Sequence, residues 1–410
     1  MSEIGLSYFL PEPEKFHTIL RVPGSHTLYV GPSSCTRRHA IHAIEYGDTR
    51  DYSFLFISEA DEISGSYEAM IGEAIIELCE IVEPTPHIFF IAVFCIDDFL
   101  GTDEEAMLEA LHSRFPGKRF AVNHIDPVTL SKNNNMGMKK HLNLFSFLEK
   151  PTEKDHGVNF LGDFVSLEPD CEFLSLLKSW GVSRVRELFH CHTYEEYQDM
   201  AKSQMSIVLR FIGEKSAQYL QKKFDMPYYC FTASYDAHYI VEGYRTIASI
   251  LGHEAPDFST EISNVFEDAA KTVDVIGDME IAIDASASLK PFSAAKALLE
   301  YGFKVKYIFC SSHMFKIEEE AEEYIREKHK EIRIILTNDY INMILEPDQE
   351  IIAIGADCVR LLRARHFADI WHDEGYFGFH GIHRLFALLR DCVTKKYNMP
   401  ELPIPGKESE

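Results

Sequence analysis

Two cysteines have the type and placement that most directly offer chemistry. Cys35 follows the apolar run HTLYVG within VGPSSCTRRHAIHAIEYG, and Cys95 follows HIFFIAVF at the start of CIDDFLGTDEE. Each stands where a buried strand should end, and ligands of open α/β sheets bind beyond the carboxyl ends of strands. If the two strands share one sheet, both thiols face the same edge. The residues after Cys35 read as the start of a helix. A helix N-terminus, with Arg37 and Arg38 beside it, favours the thiolate, the form that binds iron or attacks electrophiles. The plainer alternative, open at this point, is that each cysteine is a small buried hydrophobe.

Histidines give weaker signals. HDEGYFGFHGIHRLFALLRD holds His372, His380 and His383, and its glycines and aromatics predict a tight loop before a helix. The i,i+3 spacing of His380 and His383 puts both on one helical face. The alternative is an aromatic cap whose histidines are merely hydrogen-bonded. His39 and His42 share that spacing and the same two readings. His190, Cys191 and His192 read as the close of a strand, where alternation sends the middle residue to the opposite face and argues against a metal site. Among the other cysteines, Cys79, Cys171 and Cys392 fall in helical patterns, while Cys191, Cys230, Cys310 and Cys358 lie in or beside strands and turns without a partner spacing. No CxxC occurs, which argues against zinc ribbons and thioredoxin chemistry. There is no P-loop, no dinucleotide fingerprint after a strand, no GxSxG and no kinase signature.

The elements that must position these residues are legible. HTLYVG, YSFLFIS, HIFFIAVF and RFAVNHI read as buried parallel strands, separated by helical patterns such as SYEAMIGEAIIELCEIVE and DEEAMLEALHSRF. The Asn-rich stretch SKNNNMGMKKHLN ends this series, and PTEKDHG reads as a linker. A second alternating series runs from VNFLGDF through CEFLSLLKSWG, VSRVRELF, TYEEYQDMAK, MSIVLRF and GEKSAQYLQKKF, and a third begins near Asp278 with MEIAIDA. This predicts an α/β fold of three Rossmann-like αβα domains with parallel sheets, at residues 1–150, 151–268 and 269–410.

The chain has 410 residues, 46% of them hydrophobic, nine cysteines and a formal net charge of −25. Such a surface repels phosphate backbones, so no nucleic acid is expected. No long apolar run predicts a membrane span, and the first residues do not read as a signal peptide. A cytoplasmic location without a disulfide framework is the expectation.

Five segments in order resemble the nitrogenase component 1 superfamily, over roughly Gly24 to Asp391. VGPSSC resembles its HGPxGC segment, which places Cys35 on a cluster cysteine, and CIDDFLGTDEE resembles the segment that places Cys95 on another. VNFLGDF resembles the strand opening the family's second domain, LQKKFDMPYY its EEKYGIPY segment, and YFGFHGIHRLFALLRD the stretch whose histidine matches His380. The family's upstream third cluster cysteine has no counterpart before Cys35, and Leu209 stands where a molybdenum-cofactor cysteine is found. The resemblance therefore implies no molybdenum–iron cofactor, and a substrate other than dinitrogen. Two cysteines per chain would supply four thiolates across a two-fold interface, which suits a [4Fe-4S] cluster. It further implies a homodimer or a heterodimer with a paralogous component 1 subunit, and an ATP-dependent iron–sulfur reductase partner. Electrons would reach a small-molecule or tetrapyrrole-type substrate, with His380 as the catalytic residue that donates a proton or a hydrogen bond to it. The alternatives are a non-catalytic cluster-assembly scaffold or partner subunit, and a metallo-chelate-binding protein.

Overall fold

Buried parallel strands need apolar side chains on both faces, so they read as continuous apolar runs. In the computed structural model, IFFIAVF forms such a strand, buried at every position. The structure describes residues 6–8, 21–46, 49–94, 103–125, 135–311, 318–337 and 344–395.

The first sheet is built from β1 (Leu6–Tyr8), β2 (Ser25–Gly31), β3 (Tyr52–Phe56), β4 (Ile88–Phe94) and β5 (Arg119–Ile125). Its order is β1-β3-β2-β4-β5, parallel except for β1, which lies antiparallel on the edge. Helices α1 (Ser33–Tyr46), α2 (Glu59–Ser64), α3 (Tyr67–Ile81), α4 (Glu104–Arg114) and α5 (Asn135–Phe145) connect and follow these strands. Ile71, Ile75 and Leu78 of α3 pack on Leu28, Phe89 and Ile91, all fully buried. Asp103 caps α4 by accepting the Ala106 N–H at 3.0 Å. Part of the Asn-rich stretch expected to be a terminator is the helix α5, whose Phe145 is fully buried.

The middle sheet follows with β6 (Gly157–Leu161), α6 (Glu172–Ser179), β7 (Arg184–Arg186), α7 (Tyr194–Asp199), β8 (Met205–Val208), α8 (Glu214–Phe224) and β9 (Tyr228–Cys230). Its order is β7-β6-β8-β9, all parallel. His190 ends a 3₁₀ turn over Leu188–His190, not a strand, so strand alternation does not govern the His190–Cys191–His192 trio. Helices α9 (Ala237–Ile250) and α10 (Ser259–Ile276) then lead to the last sheet. It comprises β10 (Glu280–Asp284), α11 (Pro291–Glu300), β11 (Lys304–Cys310), α12 (Glu319–Lys328), β12 (Arg333–Leu336), β13 (Ile352–Ile354), α13 (Ala356–Leu362), β14 (His366–Ala368) and α14 (Gly378–Thr394). The order is β12-β11-β10-β13-β14, again parallel.

The fold is thus α/β with three predominantly parallel sheets. Each sheet is wired alike: the chain steps from its first parallel strand to one side, then crosses back to the other. The switch points therefore fall between β2 and β4, β6 and β8, and β10 and β13, where an open α/β sheet offers a crevice. By packing, the chain groups into two units, residues 1–164 with 182–232, and residues 165–181 with 233–410. The boundaries at 150 and 268 are a proposal from the sequence.

Candidate functional site

Cys35 lies in the first unit, at the switch point of the first sheet. β2 ends at Gly31, and Pro32 leads straight into α1. The Cys35 and Thr36 N–H groups reach back to the Pro32 carbonyl at 3.0 and 3.2 Å, which sets Cys35 in the first helical turn. Its side chain is half-buried, with Ser34 Oγ 3.9 Å from its Sγ. A Cβ on Gly31 would lie 2.7 Å from the Phe94 ring, so the last residue of β2 has to be glycine for Phe94 to lie across the strand end. β4 runs beside β2 through the Val30–Val93 pair and ends at Phe94. Cys95 lies outside the described residues, so its meeting with Cys35 is a proposal.

The other described cysteines have a different character. Burial pushes the thiols of Cys171, Cys191, Cys310 and Cys392 up to about 12 and that of Cys230 up to about 11, and also raises Cys79 and the fully buried Cys358. A thiol so disfavoured as thiolate is poorly suited to bind a metal or attack an electrophile. His39, one turn beyond Cys35, stacks on Tyr29 at 4.8 Å and lies 5.6 Å from Phe94. Burial first, then the charges of Lys140, His42 and Arg38, lower it to about 4. It serves as a neutral ring in the aromatic packing beneath α1. Among the described residues, no group of three or more His, Cys, Asp or Glu side chains is arranged to hold a metal.

His380 lies in the second unit, in the first turn of α14. That helix start is capped by a side chain distant in sequence. Glu172, in the first turn of α6, accepts the N–H of Phe379 at 2.6 Å and of His380 at 3.1 Å, and the Tyr244 hydroxyl at 2.7 Å. The carboxylate satisfies two orphan donors and sits at the positive end of the helix dipole. His380 Nε2 lies 2.7 Å from Glu168 Oε2, and Arg384 grips the same carboxylate from the next turn while its guanidinium packs 4.6 Å over the Tyr376 ring. His383 turns elsewhere: its Nδ1 lies 2.7 Å from Asp268 Oδ2, while Oδ1 of the same carboxylate accepts Arg390 at 2.8 Å. The i,i+3 histidines therefore share a helix but serve two different carboxylates.

Sequence reasoning missed the groups at the end of β10. Asp373 is buried and accepts the Tyr235 and Ser288 hydroxyls, each at 3.0 Å, and the Leu289 N–H at 3.1 Å. Burial raises its carboxyl. His372 and Asp373 both hold positive φ, of 48° and 58°, a strained conformation for side chains of this kind. Lys290 precedes α11, with its ammonium 4.6 Å over the Tyr239 ring, and burial lowers it despite the nearby carboxylates of Asp373, Glu318 and Asp236. Glu168 and Glu172 are spaced i,i+4, which was visible. Their partners more than 200 positions away were not.

A family model described as nitrogenase component 1 type oxidoreductase matches residues 17–385. The chain belongs to this family. Proteins of the nitrogenase component 1 family bind iron–sulfur clusters and work in multi-subunit complexes with paralogous subunits and a reductase partner. A nitrogenase iron-molybdenum cofactor biosynthesis protein, NifE of Clostridium pasteurianum, is 29% identical over 203 residues, which span 48% of this chain and 43% of that protein. The match thus spans less than half the length of that relative. Two solved structures share the fold. One, described as nitrogenase Cp1 at pH 6.5, superposes with a TM-score of 0.67 at 14% identity, covering 91% of this chain and 89% of that one. The other, nitrogenase Cp1 at pH 5, gives 0.55 at 13%, with 92% and 86% covered. Among the described residues, no helix is long and apolar enough to cross a membrane.

Proposed function

We propose that this chain is a nitrogenase-like component 1 subunit that holds an iron–sulfur cluster through Cys35 and Cys95 and serves electron transfer to a bound small molecule other than dinitrogen. The observation that carries this reading is Cys35 itself. It is half-buried in the first turn of α1, at the β2–β4 switch point. A sulfur donor open to approach from one side suits a cluster shared with a second chain. Two thiolates from each of two chains complete the ligand set of a [4Fe-4S] cluster. The second chain is an identical or paralogous subunit, and the reductant an ATP-dependent iron–sulfur protein.

When bound, the cluster supplies one-electron transfer. The chain's own residues hold it and manage protons. Cys35 provides a thiolate from the first turn of α1. His380 is oriented through its Nε2 contact with Glu168, so it can hold or deliver a proton beside a tethered carboxylate. Arg384 on the same carboxylate keeps that pairing in place. Leu209 follows β8 with only 5% of its surface exposed, and it offers no donor to a molybdenum-containing cofactor.

A second reading is favoured by a specific observation: the curated relative is described as a cofactor biosynthesis protein. In that reading the same cysteines hold a cluster during assembly, without substrate turnover. Anaerobic reconstitution with iron and sulfide, followed by iron counting and electron paramagnetic resonance, tests the shared premise. Cys35→Ala and Cys95→Ala should each abolish bound iron, and Cys79→Ala should retain it. Full iron retention in Cys35→Ala would refute the assignment. Turnover with the reductase partner supports electron transfer; release of the cluster to an acceptor protein supports assembly.

A further inference from the structure

The middle sheet carries a pair of buried acids that neither the cysteines nor His380 use. Asp163 follows β6 after one glycine, and Glu187 follows β7 directly. These strands are parallel neighbours, paired through Asn159 and Arg186, so both carboxyls leave the sheet at its C-terminal edge. Asp163 is 7% exposed and Glu187 9%. They are near enough that the charge of Glu187 acts on the Asp163 carboxyl. Asp163 Oδ2 is sealed from water and receives no N–H or O–H donor among the described residues. Two ionised carboxylates are acceptors only, so a pair buried side by side can be tied together only if one carries a proton.

Arg210, beyond the end of β8, favours the ionised form of Asp163 and packs its guanidinium 5.5 Å over the Phe164 ring. His190 Nε2, in the turn after β7, lies 3.4 Å from Glu187 Oε2. We infer that Asp163 and Glu187 share one proton in the folded chain, and that this proton latches the end of β6 to the end of β7 as a pH-sensitive tie. Without it, two like charges are sealed at one sheet edge, where desolvation and repulsion both act against the native state. Burial first, then the charge of Glu187, holds the Asp163 carboxyl well above the usual carboxylate range. The native chain therefore keeps a proton that the unfolded chain gives up above about pH 4. The stability it contributes is full at low pH and is lost as the pH rises toward the folded value. Across that window the unfolding equilibrium constant grows about tenfold per pH unit.

Urea unfolding of the full chain between about pH 5 and 8 tests this, with Asp163→Asn and Glu187→Gln, whose amides supply a donor that does not titrate. Relative to either variant, the wild type should lose stability by about tenfold in the unfolding constant per pH unit over part of this range. At about pH 5, just above the ordinary carboxylate range, its infrared spectrum should show a protonated-carboxyl C=O band that Asp163→Asn removes. Equal pH slopes in all three proteins overturn the inference. So does the absence of that band from the wild type at about pH 5, whatever the variants do.

Discussion

At the scale of single residues, the environment of each side chain decides what its chemistry is free to do. His26 and His141 are both buried, and burial lowers each to about 4. His26 Nε2 pairs with Ser53 Oγ at 2.8 Å and its Nδ1 has no partner among the described residues, while His141 Nδ1 pairs with Ser216 Oγ at 2.6 Å. Burial disfavours the charged ring at both sites. The unfolded chain takes up a second proton on each ring below about pH 6.5, so stability falls as the pH drops from there toward 4. Each histidine should contribute up to about 3 kcal/mol to that loss. His141→Gln should flatten the acid limb of urea-unfolding stability plotted against pH, and an unchanged limb would count against a neutral His141. Cys35 was legible in the sequence because a strand end and a helix start are both local patterns. Glu172 was not, because nothing near it marks it as the cap of a helix 200 residues later.

At the scale of elements, α14 carries the most information. Its N-terminus depends on Glu172 and on Gly378, which holds a φ of +64°. A Cβ at Gly378 would collide with Glu172 and with the Tyr244 hydroxyl. Glu172→Ala leaves two backbone donors and the Tyr244 hydroxyl without their acceptor, which should cost about 1–3 kcal/mol in urea unfolding. Gly378→Ala should be at least as damaging, since it adds backbone strain to the clash. Glu172→Gln keeps an acceptor oxygen and should lie between wild type and Glu172→Ala. The glycine- and aromatic-rich loop and the helix after it were expected from the sequence. The separate fates of His380 and His383 were not, because equal spacing on a helix does not set which neighbour each side chain meets.

At the scale of the whole molecule, the three sheets repeat one wiring, and their switch points give three comparable edges of different chemistry: a thiol at the first, a carboxyl pair at the second, and Asp373 with Lys290 near the third. If two chains share one cluster, reconstituted protein should carry about two irons per chain and sediment as a dimer. About four irons on a monomer would exclude the shared site. A formal charge of −25 opposes self-association, so formation of that dimer should strengthen as salt is added.

The alternation of apolar runs with helical patterns determined the α/β class and the parallel sheets, since both follow from periodicity along the chain. The spacing of short motifs pointed to the family, and the strand-end position of Cys35 to a possible ligand. Which carboxylates meet which histidines, which thiols are lost to burial, and the pairing of Asp163 with Glu187 were decided only by tertiary structure. Those outcomes depend on burial and on contacts between distant segments, and no local pattern in a sequence encodes either.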